Sequence, residues 1–288
     1  MRSIRILTTC SLIAMSILLA EVALAQRPFG GGGGGGMQGG GAFGGGGFQS
    51  GRQAENTAIR DRIKAHSYKF EPTGETLSYA VFLPRKYDQK KPMPLIILLH
   101  GNNVAPESII TPFGSAADKH GYILVAPMGY TLSGWYGMHG VGNAQTAQYS
   151  EQDVMAVLDL ARAEFNIDPR RIYIAGHSMG GSGAVHIAAA HPEIWAAVGT
   201  MSGPAMGNTP AENQNLGNLP IVVEQGDKDE LIPVDGVRRW VENLKQRQAP
   251  TQYYEFRGGT HVTTLQQGAE RVLAFFDKYS RPEAETAR

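Results

Sequence analysis

From residue 66 onward the chain alternates between short apolar runs and longer stretches in which apolar residues recur every three or four positions. His66–Glu71 and Ser78–Leu83 flank Pro72-Thr73-Gly74-Glu75, and together they predict a β-hairpin around a Pro/Gly turn. Six further apolar runs read as buried strands: Leu95–Leu99, Ile123–Ala126, Ile172–Ala175, Ala196–Met201, Ile221–Val223 and Tyr253–Phe256. Between them lie helical periodicities. Val154, Val157, Leu158, Ala161 and Phe165 share one face. So do Val237, Trp240, Val241 and Leu244, and again Leu265, Ala269, Val272, Leu273 and Phe276. Strands that alternate with helices imply an α/β fold: a mostly parallel eight-stranded sheet, helices on both faces, and an antiparallel N-terminal hairpin.

Ligands of such sheets bind at the carboxyl ends of the strands, so the residues just after each strand are the candidates for chemistry. His100-Gly101-Asn102-Asn103 follows the third strand. Gly176-His177-Ser178-Met179-Gly180-Gly181 follows the fifth. Gly226-Asp227-Lys228-Asp229 and Gly258-Gly259-Thr260-His261 follow the last two. A serine, two aspartates and a histidine therefore share one edge, in that chain order.

Gly176-His177-Ser178-Met179-Gly180 is a G-x-S-x-G between a buried strand and a small-residue helix through Ala184, Val185, Ile187 and Ala188. That context describes a sharp strand-turn-helix that throws a serine clear of the sheet. His261 is the candidate base, because it follows the last strand in a Gly-Gly loop. His177 is the variable position of the elbow, His100 braces a turn, and His186 and His191 lie too far along the next helix. His139, in a Gly-rich loop, is the competitor. Asp229 and Asp227 compete for the acid. Asp229 is preferred, because it sits in the loop beyond the strand where a carboxylate orients an imidazole, while Asp227 is placed to cap the turn.

These motifs resemble the α/β-hydrolase superfamily, from about Tyr68 to Tyr279. Leu99-His100-Gly101, the elbow at Ser178, Gly226-x-x-Asp229-x-x-Ile232-Pro233 and Gly259-Thr260-His261 carry the likeness. Within it the chain is similar to secreted carboxylesterases of the polyhydroxybutyrate-depolymerase and feruloyl-esterase kind, and to prolyl-oligopeptidase-like hydrolase domains. The resemblance implies a serine hydrolase that cleaves carboxylic esters through an acyl-enzyme. Ser178 would be the nucleophile, His261 the base and Asp229 its orienter. It also implies an oxyanion hole from the backbone N–H groups of Met179 and Asn102. A serine peptidase is the second reading, and a non-catalytic binding module on the same fold the third. Residues 129–150 read as a Gly-, aromatic- and amide-rich loop whose Tyr130, Trp135 and Tyr136 are candidate pocket walls.

Composition narrows the partners. Lys+Arg 26 balances Asp+Glu 26, so the basic face of a nucleic-acid binder is not expected. No Gly-Lys-Ser/Thr, no G-x-G-x-x-G opening a helix and no ligand triplet is present, so neither a cofactor nor a metal is expected. The expected partner is a small-molecule, polysaccharide or polyester ester, and a monomer is expected.

Fifteen of the 37 glycines fall between Gly30 and Gly51. Residues 26–65 therefore read as a Gly-rich flexible tether and lead-in, ahead of a hydrolase domain at 66–280 and a disordered tail at 281–288. Arg2 and Arg5, the apolar run Ile6–Ala20 and Ala23-Leu24-Ala25 have the three parts of a signal peptide spanning 1–25. The run is shorter than the ~20 residues a membrane helix needs. Its removal would take away Cys10, the one cysteine, and leave no transmembrane segment. Export to the periplasm or the exterior is the expected destination.

Overall fold

A computed structural model describes residues 46–138, 140–203, 214–246 and 249–282. The signal-peptide segment, most of the Gly tract, His139 and the final residues of the tail lie outside it. The described chain builds an eight-stranded sheet in the order β1-β2-β4-β3-β5-β6-β7-β8. The strands are β1 (Lys64–Phe70), β2 (Glu75–Phe82), β3 (Met93–Leu99), β4 (Ile123–Pro127), β5 (Ile167–His177), β6 (Val198–Met201), β7 (Ile221–Gly226) and β8 (Thr251–Phe256). β1 pairs with β2, and β2 with β4, in antiparallel fashion; every later pairing is parallel.

The predicted architecture is present, and strand alternation explains how it packs. In β3, Leu95, Ile97 and Leu99 point to one face, where they meet Val125, Ile174 and Val223. Ile96 and Leu98 point to the other, where they meet Ala80, Leu124, Tyr173 and Val222. Both faces of a crossover-connected sheet are covered by helices, which is why its central strands carry no polar alternation. The first face is covered by α3 (Ala144–Glu164), α4 (Met179–Ala190) and α5 (Val234–Gln246). The second is covered by α1 (Gly46–Arg60), α2 (Glu107–His120) and the pair α6 (Thr263–Gln267) and α7 (Ala269–Phe276).

Four elements differ from the sequence reading. The lead-in holds α1, which begins inside the Gly tract and ends by burying Ile59 among Phe113 and Ala117 of α2. α2 carries Pro112 and Gly114 in its interior, which hide its periodicity. Residues 144–150 are the start of α3 rather than loop, with the Asn143 side chain accepting the Thr146 N–H at 3.0 Å as its N-cap. The last periodic stretch is two helices that meet at Gly268. Of the tail only residues 281 and 282 are described, and the Arg281 N–H donates to Arg170 O at 2.9 Å.

The junction at Gly268 sits on a buried carboxyl. A side chain at Gly268 would begin 1.6 Å from Glu224 Oε2, so the Glu224 side chain fills the space beneath that turn. Neither Glu224 oxygen has a hydrogen-bond partner among the described residues. Burial pushes its carboxyl up to about 8, against a weaker opposing pull from Arg271. The folded chain therefore keeps a proton that the unfolded chain releases near 4.5. Stability contributed by this protonated carboxyl is fully present at low pH and falls as pH rises from 4.5 toward 8. Urea titrations at pH 5 and pH 8 should show the native chain losing more stability across that window than Glu224→Gln. Equal slopes for the two chains would mean that Glu224 stays ionised in the fold.

Candidate active site

Ser178 occupies the turn between β5 and α4 with φ 56° and ψ −121°, a state that L-residues avoid and that costs about 1–3 kcal/mol. The surroundings hold it there. Its N–H donates to Met201 O at 2.9 Å, and its carbonyl accepts the Ser182 N–H at 3.1 Å. α4 must pass very close to the end of β3 to make this turn. A Cβ on Gly180 would lie 2.0 Å from Leu99 O, so only glycine fits. Met179 opens α4, and its N–H is one of the first-turn groups with no acceptor inside the helix.

Asp229 lies in the loop after β7 and His261 in the loop after β8. His261 Nδ1 is 2.9 Å from Asp229 Oδ2 and 3.0 Å from Oδ1. The Asp229 side chain is fully buried and the imidazole is 13% exposed. Oδ1 also accepts the N–H groups of Leu231 at 2.9 Å and Ile232 at 2.8 Å. Gln225 Nε2 donates to Oδ2 at 2.9 Å and to Ile232 O at 2.9 Å. Burial by itself would raise the Asp229 carboxyl; the bond and charge of His261 and the two backbone donors outweigh it, so the group is held below its ordinary value. Asp227 stands apart from this set. Its Oδ1 accepts the Gly258 N–H at 2.6 Å and closes the turn after β8.

The β3 loop borders the serine. A Cβ on Gly101 would lie 3.5 Å from Ser178 Cβ, which puts the Gly101-Asn102 segment beside it. Asn102 is half-buried. His100 braces this loop from beneath, its Nδ1 2.8 Å from Gly101 O and its Nε2 2.8 Å from Met128 O. Burial lowers its basicity, against the opposing pull of the two carbonyl acceptors.

One of the three candidate pocket walls is corrected. Tyr136 has no exposed surface. Its hydroxyl donates to His100 O at 3.2 Å, its N–H to Ser150 Oγ at 3.1 Å, and its ring lies against Gly183 of α4. It is an internal post. Tyr130 donates to Glu75 Oε2 at 2.8 Å and clusters with Phe70 and Tyr149, so it belongs to the hairpin side of the sheet. Trp135, like Tyr130, keeps partial exposure, and its ring lies against Gly142. His186 and His191 both pair with Glu151, at 3.6 and 3.1 Å. Among the described residues no cluster of His, Cys, Asp or Glu has metal-binding geometry.

The sequence reading did not single out three features here. Gln225 is visible only as a polar residue ending an apolar strand. Leu132 and Val262 are the large apolar residues most exposed among those described, at 36% and 44%. Val262 adjoins His261, and the Leu132 carbonyl accepts the Asn103 N–H at 2.8 Å, next to Asn102.

A strained serine on a strand-to-helix elbow, with an Asp–His pair on the following strand ends, is the arrangement of α/β-hydrolases. The Esterase family model matches residues 71–268, and the chain belongs to that family. The chain is 27% identical over 208 residues to the "Probable feruloyl esterase C" of Aspergillus terreus, which covers 68% of this chain and 73% of that protein. It is 27% identical over 157 residues to the bifunctional acetylxylan esterase/xylanase XynS20E of Neocallimastix patriciarum, covering 54% of this chain but only 22% of that one. The chain thus spans well under two thirds of some of the curated relatives it matches. Among solved structures, a ferulic acid esterase superposes with a TM-score of 0.60 at 20% identity over 75% of this chain and 98% of that one. An S-formylglutathione hydrolase from Agrobacterium tumefaciens does so with a TM-score of 0.61 at 17% identity, over 75% and 94%. At these identities the structural likeness establishes the α/β-hydrolase fold.

Proposed function

We propose that the protein hydrolyses carboxylic esters through a covalent acyl-serine. The observation that carries the reading is the Asp229–His261 pair, 2.9 Å apart, on the same sheet edge as the strained Ser178 elbow. Asp229, kept ionised by its own donors, holds the His261 proton on Nδ1 and leaves Nε2 free to act as base. Ser178 Oγ attacks the ester carbonyl carbon while Nε2 takes its proton. The developing oxyanion is received by the N–H groups of Met179 and Asn102, the first reinforced by the N-terminus of α4. As the tetrahedral adduct collapses, the C–O bond breaks and His261 returns the proton to the departing alcohol. Water, deprotonated by the same imidazole, then attacks the acyl-serine and regenerates the hydroxyl. None of these steps calls on a metal or organic cofactor.

The names of the relatives support feruloyl, acetyl-sugar or thioester-like acyl groups, and the partly exposed Trp135, Leu132 and Val262 support an apolar contact with one end of the substrate. The pattern of Arg2 to Ala25 supports export before the enzyme acts. Among the described residues no helix is long and apolar enough to cross a membrane.

Three outcomes test this. Ser178→Ala should lower turnover of p-nitrophenyl acetate by at least ~10³ and abolish labelling by a fluorophosphonate, with an unchanged circular dichroism spectrum. Surviving turnover would remove the mechanism. Asp229→Asn should cost up to ~10⁴ by turning His261 to the wrong tautomer, whereas Asp227→Asn, which touches only the turn at Gly258, should cost far less. The reverse order would exchange the two roles. Trp135→Ala should raise KM for feruloyl esters by about 1–3 kcal/mol more than for acetyl esters. A uniform effect across a panel of acyl sizes would make Trp135 a packing residue.

A further inference from the structure

His177, the variable residue of the elbow motif, is given no role by the mechanism above. It is nevertheless among the buried polar residues, at 5% exposure, and it lies at the meeting point of three segments. It is bonded in sequence to Ser178. Its Nε2 is 2.9 Å from the backbone carbonyl oxygen of His261. Its ring centroid is 4.9 Å from that of His261, with the planes inclined by 55°. Its Nδ1 faces the β3 loop, 3.6 Å from where a Cβ on Gly101 would stand. One imidazole thus adjoins the proposed nucleophile, base and oxyanion loop.

We propose that His177 is a positioning residue: by donating from Nε2–H to the carbonyl of His261 it sets the peptide, and so the ring direction, of the base relative to Ser178. The proposal rests on the reading of Ser178 and His261 as nucleophile and base.

The chemistry of the bond assigns the proton. A carbonyl only accepts, so Nε2 must carry the hydrogen, and a neutral ring then leaves Nδ1 bare toward Gly101. Neutrality matters, because His261 becomes an imidazolium during turnover and a second cation 4.9 Å away would oppose it. Burial, and then the neighbouring His261, hold His177 down to about 4, so it stays uncharged where His261 works. The loop itself does not depend on this bond. Lys228 N–H donates to Gly259 O at 2.8 Å, Gly258 N–H to Asp227, and Thr260 N–H to Thr263 Oγ1 at 2.9 Å. Losing the His177 bond therefore leaves the loop folded and frees only the residue that carries the base.

The test uses His177→Phe, which fills the space without a donor, and His177→Gln, whose amide N–H has a similar reach. On p-nitrophenyl acetate, His177→Phe should lose about 10- to 100-fold in kcat with KM within about twofold, as for a displaced catalytic group. His177→Gln should recover most of that loss, and the low-field NMR signal of the His261 Nδ1–H should persist in Gln and broaden in Phe. Should Phe fail to fold, His177→Leu serves as the donorless variant. Wild-type kcat in a folded donorless variant would overturn the proposal. So would equal loss in Gln and the donorless variant with the His261 signal intact in both. If Ser178 of the native chain takes no fluorophosphonate, the hydrolase reading itself fails, which is a separate result.

Discussion

The β5–α4 turn holds Ser178 in a conformation that an isolated chain would abandon, and most of the molecule is arranged so that it cannot. The turn needs β3, β5 and β6 in fixed register, because Leu99 O, the Ser178 backbone and Met201 O must come together within contact distance. That register is enforced by burial. The central strands are apolar on both faces, and slipping one of them by a single residue would exchange the populations of two cores. The absent side chain at Gly180 then lets the helix approach. The strain at one residue is therefore carried by hydrophobic packing distributed over three strands and several helices.

Two carboxyl groups at the end of β7 illustrate how the same strand can hold opposite charge states. Asp229 is buried with four donors around it and is stabilised as the anion. Glu224 is buried with none among the described residues and is stabilised as the acid. Burial acts alike on both, so the difference lies in the partners. Gln225, placed between them, faces the Asp229 side because alternate residues of a strand point to opposite faces.

The fold and the two ends of the Asp229–His261 pair were legible in the sequence because each rests on a local pattern: apolar runs for strands, and glycine-flanked polar residues at their ends. The third-strand and elbow motifs were legible for the same reason. What could not be read was set by distant packing. α2 is written with Pro112, Gly114 and Thr111, residues that signal a turn when their neighbours are unknown, and it is a helix because its apolar face is buried against the sheet and against α1. Tyr136 and Trp135 are adjacent aromatics in one Gly-rich segment. Nothing local distinguishes the one that Gly183 and His100 admit into the core from the one left at the surface. His177 looked interchangeable because its partner is 84 residues away.

Tyr136 has a consequence for how this scaffold diversifies. Its phenol reaches from the segment after β4 to the carbonyl of His100, and its ring is gripped by the helix that carries the elbow. The surface stretch around Leu132 and Trp135 thus adjoins a fixed post, with a further tie where the Leu132 carbonyl accepts the Asn103 N–H. Exchange of the outward residues changes what meets an incoming molecule while the post keeps the serine's support in place. Under the proposed reading, contact with substrate and support of the elbow would thereby fall to neighbouring residues of one short segment.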